Sequence, residues 1–387
     1  MVKLQGNLST KLHGIGESIF AVMTHMANEE KALNMSQGFP DFNCPAELIE
    51  LVYKYMKEGY NQYSPMPGNL LLKERISAMV EKLYGAQYDP NHEIILILTS
   101  GATQALYTAI TAMVKEKDEV ILFEPAYDSY VPSILLNKGV PKYINLNPPD
   151  YKINWDDVKR LITFKTKMII LNSPHNPTGT VLSESDIREL DKILDNRDII
   201  VLSDEVYEHI IFDGHRHESI CRYPNLIKKS FIISSFGKTF HTTGWKMGYV
   251  LAPANLMQEF RKVFQFLQFT VNTPIQYAYA DFLLNENHYL GLSKFYQKKR
   301  DIFLEGIRES RFGIIPCSGT YFQCLTYENI SDLGDMEFVT ELTRKHKIAA
   351  IPVSVFNHNK DDRKVLRFCF AKSEDTLKRA TDILCKI

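Results

Sequence analysis

Short runs rich in Ile, Val and Leu alternate with stretches of helical periodicity, and this alternation limits the folds open to the chain more than any other feature. The strand candidates span residues 93–98, 119–123, 167–171, 198–202, 231–234 and 247–251, with helical patterns such as 104–114 and 183–194 between them. Continuous apolar runs, rather than alternating ones, mark strands buried on both faces, and intervening helices supply the cover. The expectation is a mostly parallel α/β sheet. No linker or repeat interrupts this region. Beyond a helix candidate at 287–310 the pattern changes. A strand (320–325), a helix (335–347), two strands (348–353 and 364–370) and a final helix (374–385) read as a smaller α+β module. At 387 residues two domains are the natural expectation.

Composition narrows the function. Charged residues make up 24% of the chain and the net charge is −1, with acids and bases interspersed. Such a balance gives no support for a nucleic-acid or membrane-surface partner. Six cysteines show no CxxC pair and no zinc spacing, so they read as reduced thiols of a cytoplasmic protein. No stretch resembles a signal peptide or reaches the length of a membrane span.

In an open parallel sheet, ligands bind beyond the carboxyl ends of the strands. After the first run come Thr99-Ser100-Gly101-Ala102-Thr103, small residues whose free amides at a helix start suit a phosphate, or form a plain cap. After the second comes Tyr127, able to stack on a flat ring or simply to pack. After the third, prolines and Gly179 fix a turn that aims Asn176. After the fourth come Asp204, which burial would force to seek a cationic partner such as a protonated pyridine nitrogen or which caps a helix, and Tyr207. After the fifth comes Lys238, with Lys246 eight residues on. A lysine in a polar loop is ordinarily a solvated charge, but an amine at a strand end can condense with an aldehyde. Arg367 lies on an alternating strand near the C-terminus, as an edge cation or a bidentate holder of a carboxylate. Ile15 and Phe20 offer an apolar wall. Together these groups suit a phosphorylated hydroxypyridine aldehyde.

Eight strings carry a resemblance over nearly the whole chain: SQGFPDF (36–42), NQYSPMPGN (61–69), SGATQAL, EPAYDSY, NSPHNPTG, SDEVYEH, SSFGKTFHTTGWKMG and LRFCF. The sequence resembles the class I, fold-type I aminotransferases dependent on pyridoxal 5′-phosphate. Within them it is most similar to the bacterial methionine aminotransferases and the kynurenine aminotransferase/cysteine-S-conjugate β-lyase group. The resemblance implies a seven-stranded, mostly parallel sheet in a large domain (46–286) and a small α+β domain (1–45 plus 287–387). It implies that Lys238 binds the cofactor aldehyde and shuttles a proton, that Asp204 pairs with the ring nitrogen, and that Asn176 and Tyr207 reach the ring hydroxyl. Tyr127 would stack on the ring. The Ala102 and Thr103 amides, Ser235 and Lys246 would hold the phosphate, joined by Tyr63 across a homodimer interface. Arg367, helped by Asn172 and the Gly38 backbone, would hold the substrate α-carboxylate. Where the class commonly has arginine, Lys246 matches the methionine/kynurenine group. No second cation for a dicarboxylic substrate is evident, which points to apolar or aromatic amino acids with methionine first. β-Elimination from cysteine conjugates is the alternative.

Other classes fit less well. Gly237-Lys238-Thr239 mimics the end of a P-loop, but the earlier glycine would fall on Ile232. Gly14-Ile15-Gly16 lacks the third glycine of a dinucleotide fingerprint. A regulator with an N-terminal DNA-binding module has no room before residue 36. His215, His217 and Glu218 complete no metal site and read as a polar loop.

Overall fold

A computed structural model describes residues 10–86 and 94–387, with only the backbone described at 94–96. Its central sheet has seven strands: β1 (Ile94–Thr99), β2 (Glu119–Glu124), β3 (Val140–Asn145), β4 (Thr166–Asn172), β5 (Ile200–Asp204), β6 (Ser230–Ser235) and β7 (Gly248–Pro253). Their order is β1-β7-β6-β5-β4-β2-β3. Only β7 runs against its neighbours, pairing antiparallel with both β1 and β6. Six of these strands follow the apolar runs to within about two residues; Glu93, expected to open the first, lies outside the described residues. The seventh, β3, has the sequence VPKYIN and pairs only with β2. It is an edge strand, so one face of its ladder needs no donor from Pro141 and its side chains need not be apolar.

The sheet's two faces feed two cores. Val120, Leu122, Met168, Ile170, Ile200, Leu202, Phe231 and Ile233 pack in one cluster with Leu106, Ile110, Phe260 and Phe264 of the helices Gly101–Met113 and Ala254–Leu267. The alternate residues Ile121, Phe123, Ile169, Leu171, Val201 and Ile232 belong to the other. Apolar residues that alternate between two cores along one strand are what a doubly covered sheet requires.

That second core runs on into a smaller antiparallel sheet of β8 (Gly313–Ile314), β9 (Phe322–Thr326), β10 (Ile351–Pro352) and β11 (Val365–Cys369). The expected strand 348–353 is divided in two. Ile348–Ala349 pairs in parallel with Leu33–Asn34 from the N-terminal segment, and Ile351–Pro352 pairs with β11. The expected helix 287–310 is also divided, into Asn287–Leu290 and Leu292–Gly306 around Gly291. The helix 183–194 appears as Glu184–Leu194, with Ser183 as its N-cap and a reciprocal capping box to Asp186. No helix among the described residues is long and apolar enough to cross a membrane, and no disulfide joins any of the six cysteines.

Phe231, the second residue of β6, is fully buried, its ring 6.0 Å from that of Phe260. Phe231→Ala is expected to destabilise the apoprotein by about 3–5 kcal/mol, read as a lower midpoint of urea unfolding with an unchanged slope. A loss below about 1 kcal/mol would mean that this face is not the tightly packed core described here.

Candidate functional site

Because β1, β2, β4, β5 and β6 are parallel, their carboxyl ends meet along one edge of the sheet. Antiparallel β7 begins there, which sets the residues just before it among those strand ends. Asn172 pairs in register with Asp204, and Gly248 with both Thr99 and Ser235. A cavity of about 240 Å³ opens along this edge. Gly38, Ala102, Thr103, Tyr127, Asn172, Asn176, Asp204, Tyr207, Ser235, Lys238 and Lys246 all line it, converging from separations of up to 208 residues along the chain.

One end of the cavity is cationic. The helix Gly101–Met113 points its N-terminus into it, and the Ser100 side chain caps none of the first-turn amides. Lys246, in the left-handed region at φ 55°, turns its side chain to the same place; a Cβ on Gly101 would stand 3.3 Å from Lys246 Nζ. Gly101 itself has φ +73°, and a Cβ on Gly248 would lie 2.6 Å from the Ser234 carbonyl oxygen and 3.2 Å from the Ala102 amide nitrogen. Two glycines therefore let β7 and the helix start approach each other around a cradle of amides and one ammonium, a donor set suited to a phosphate.

Lys238 stands further along the wall. Its Nζ donates to Tyr321 Oη at 2.9 Å and to the Gly38 carbonyl at 3.2 Å, while Tyr321 Oη donates to that carbonyl at 2.6 Å. Desolvation lowers its pKa to about 8, with the Arg367 and Lys246 charges acting in the same direction. Across the cavity Asp204 is 4% exposed. Tyr130 Oη donates to its Oδ2 at 2.6 Å. Burial raises its pKa to about 6, against the pull of the Tyr130 hydrogen bond and the Lys238 charge. Burial lifts Tyr207 as well, far into the range where the phenol keeps its proton at neutral pH.

Asn172 and Asn176 build the turn after β4. Asn172 Nδ2 donates to the Asp204 carbonyl at 2.9 Å and its Oδ1 accepts from the Asn176 N–H at 2.8 Å. Asn176 Oδ1 in turn accepts from Arg367 at 2.8 Å. Tyr127 lies at the helix start, its Oη 3.3 Å from Thr103 Oγ1.

Arg367 is 1% exposed, beside the cavity rather than on its lining. Its guanidinium stacks 3.9 Å from the Phe322 ring centroid, with Phe20 and Phe356 at 5.3 and 5.6 Å. It donates to Asn176 and to the Ser36 carbonyl, its Nε has no hydrogen-bond partner, and no carboxylate among the described residues pairs with it. Phe20 joins the site through this stack. Ile15 is 40% exposed and stands outside the lining, as does Tyr63, which is 83% exposed with its ring edge against Phe269.

Four participants were not assigned from the sequence: Tyr130 on Asp204, Tyr321 on Lys238, and the Phe322 and Phe356 rings around Arg367. Tyr130 lies three residues after Tyr127 in a string already singled out. The others come from distant segments with no local signal. His217, expected in a polar loop, is buried, with its Nε2 2.8 Å from Glu205 Oε2. No group of three or more His, Cys, Asp or Glu among the described residues is arranged to hold a metal ion.

Comparison with known proteins decides the family. The model of aminotransferase class I and II matches residues 30–384. The chain belongs to the class I and II aminotransferases. It is 46% identical to the methionine aminotransferase of Escherichia coli over 376 residues, 97% of each chain. It is 32% identical to a kynurenine–oxoglutarate transaminase of Dictyostelium discoideum, covering 98% of this chain and 96% of that one. A crystal structure of an E. coli protein with a methionine aminotransferase function superposes with a TM-score of 0.95 at 45% identity, covering 98% of this chain and all of that one. The fold is accordingly that of the pyridoxal-phosphate-dependent aminotransferases, and the protein is a transaminase whose cofactor is pyridoxal 5′-phosphate. The cationic cradle, the buried carboxyl and the amine of low pKa fit that cofactor's phosphate, ring nitrogen and aldehyde.

The lowered pKa of Lys238 gives a direct test on the apoenzyme. Labelling of Lys238 by an amine-reactive reagent, followed by peptide mass spectrometry, is expected to rise with pH to a midpoint of about 8. A midpoint near the ordinary value of about 10.4 would show that the amine is solvated.

Proposed function

We propose that this transaminase moves the amino group of an apolar L-amino acid, methionine first, to a 2-oxo acid in two half-reactions. The observation that carries this reading is Arg367, a buried guanidinium with an unpartnered Nε and no carboxylate among the described residues in direct contact with it, walled by Phe20, Phe322 and Phe356. A buried cation without a counter-ion is costly. A substrate α-carboxylate would supply the missing charge, and the aromatic surroundings favour an apolar side chain over an acidic one. The identity to a methionine aminotransferase supports the same substrate.

The position of each group supports a role. The Ala102 and Thr103 amides, Ser235 and Lys246 would hold the phosphate, Tyr127 would stack on the ring, and Asn176 and Tyr207 would hold its hydroxyl oxygen. Bound pyridoxal phosphate supplies an electron-poor ring that takes up the electron pair of the substrate's Cα–H bond. Asp204, when ionised, would pair with the ring nitrogen and keep it protonated. Lys238, neutral in a useful fraction because it is desolvated, would be the base that takes the Cα proton of a bound substrate and hands it on to the cofactor. Tyr321 and the Gly38 carbonyl hold its amine on the cavity side. Arg367, with Asn172 and the Gly38 backbone, fixes the carboxylate and so aims the Cα–H bond.

Residues 46–286 form the large domain in this reading, and 1–45 with 287–387 the small one. The exposed rings of Tyr63, Phe266 and Phe269 suit a homodimer interface through which Tyr63 reaches the partner's phosphate. The cysteines without disulfides suit the cytoplasm. Kynurenine transamination or β-elimination from cysteine S-conjugates is the second reading, favoured by the 32% identity to a kynurenine–oxoglutarate transaminase.

A panel of amino donors, run with several 2-oxo acids on the reconstituted enzyme, tests the assignment. Methionine is expected to give the highest kcat/KM, with aspartate lower by about 10²-fold or more, since an acidic side chain would meet no second cation. Aspartate as the best donor would overturn the reading. A cysteine conjugate that yields pyruvate and ammonia faster than methionine is transaminated would favour the second one.

A further inference from the structure

Directly after Asp204 the chain turns the Glu205 side chain away from the cavity into a sealed polar cluster. The Glu205 carboxylate accepts from Ser203 Oγ at 2.8 Å and from the Ile220 N–H at 3.0 Å, and meets His217 Nε2 at 2.8 Å. Three residues on, Glu208 accepts from Tyr249 Oη at 3.0 Å and from the hydroxyls of Ser234 and Tyr84. These donors come from β7, β6 and the helix Leu70–Tyr84, so the cluster ties three separate elements to the segment that follows β5. His209 Nε2 stands 3.8 Å from Glu208. Tyr223 Oη donates to Glu218, and Arg222 donates to the His217 carbonyl while stacking 5.1 Å from the Tyr84 ring.

Glu205 and Glu208 are 2% and 7% exposed. Two carboxylates removed from water beside a third, Asp204, demand positive charge nearby. His217 is placed to provide it. Its Nδ1 has no hydrogen-bond partner among the described residues, so the ring does not serve as a two-sided connector. A neutral amide would make the single bond to Glu205 equally well. What the imidazole adds over an amide is the capacity to carry a positive charge, at the cost of an unpaired Nδ1–H.

We propose that His217 is a positioning residue that, as imidazolium, cancels the charge of Glu205 and so leaves Asp204 free to stand ionised opposite the ring nitrogen of the cofactor. The inference rests on the reading of Asp204 given above. Burial disfavours a charged His217, but Glu205 and Glu208 outweigh it and raise its pKa. Burial is the main reason the Asp204 carboxyl is raised, and the charge of the adjoining Glu205 adds a smaller push in the same direction; the His217 ring, 2.8 Å from Glu205, is placed to offset that push.

Infrared difference spectra of the apoenzyme, each background minus its own Asp204→Asn variant, titrate the Asp204 carboxyl alone. His217→Gln is expected to raise that midpoint by about one pH unit or more, because Glu205 loses its counter-charge. Glu205→Gln removes the need for the cation, so it should leave the midpoint within about half a unit, and so should the double variant with His217→Gln. Pyridoxal phosphate should bind His217→Gln about tenfold more weakly at neutral pH, with affinity restored in the double variant. An unmoved midpoint in a natively folded His217→Gln protein would overturn the proposal. So would Glu205→Gln disturbing the site as much as His217→Gln does, which is the mark of a merely structural pair. If His217→Gln fails to fold, a double variant that folds with a near-native midpoint upholds the proposal, and one that also fails overturns it. Separately, wild-type affinity for pyridoxal phosphate in Asp204→Asn would defeat the reading of Asp204 itself, whatever the midpoints do.

Discussion

Asp204 and Arg367 are buried, and Lys238 partly buried, around one cavity, and none of them has an ion-pair partner among the described residues. Taking ionisable groups out of water costs several kcal/mol each unless charge or hydrogen bonds compensate. Here the protein gives only partial compensation: Tyr321 and Gly38 for Lys238, Tyr130 for Asp204, and Asn176 and Ser36 for Arg367. The remainder is left for a ligand carrying an electrophilic carbon, a protonated ring nitrogen and a carboxylate. A cofactor and an amino acid provide all three.

The doubly covered sheet makes this tolerable. Its strands are buried on both faces, so their carboxyl ends are fixed to the precision of the hydrogen-bonded ladder rather than of a loop. The single antiparallel strand then returns Lys246 to the edge where the helix Gly101–Met113 begins. The smaller sheet adds Arg367 and Tyr321 from the other side. Because one apolar cluster runs from Ile169 and Val201 into Leu366 and Phe368, the packing that holds the strand ends of the large sheet also positions Arg367 and Tyr321.

Much of this was legible in the sequence, because a parallel sheet leaves a simple record: an apolar run, then the polar residue that its end presents. Asp204, Asn176, Tyr127 and Lys238 were found in that way. Contacts made across the chain leave no such record. Tyr321 reaches Lys238 from 83 residues away and Arg367 reaches Asn176 from 191, with nothing local to either segment to announce the pairing. Strand β3 escaped notice because an edge strand need not be apolar. Gly291 divided a helix whose amphipathic pattern ran on unbroken. His217 does lie in a loop, but its burial against Glu205 was not foreseen, because spacing along the chain does not reveal that partner.

The central claim is that a single ε-amine at the end of β6 is the covalent anchor of the cofactor. Reduction of the holoenzyme with borohydride, digestion and peptide mass spectrometry locate that anchor directly. The account predicts one pyridoxyl adduct, on Lys238, at close to one per chain. An adduct on another lysine, or none from protein that has taken up the cofactor, would contradict it.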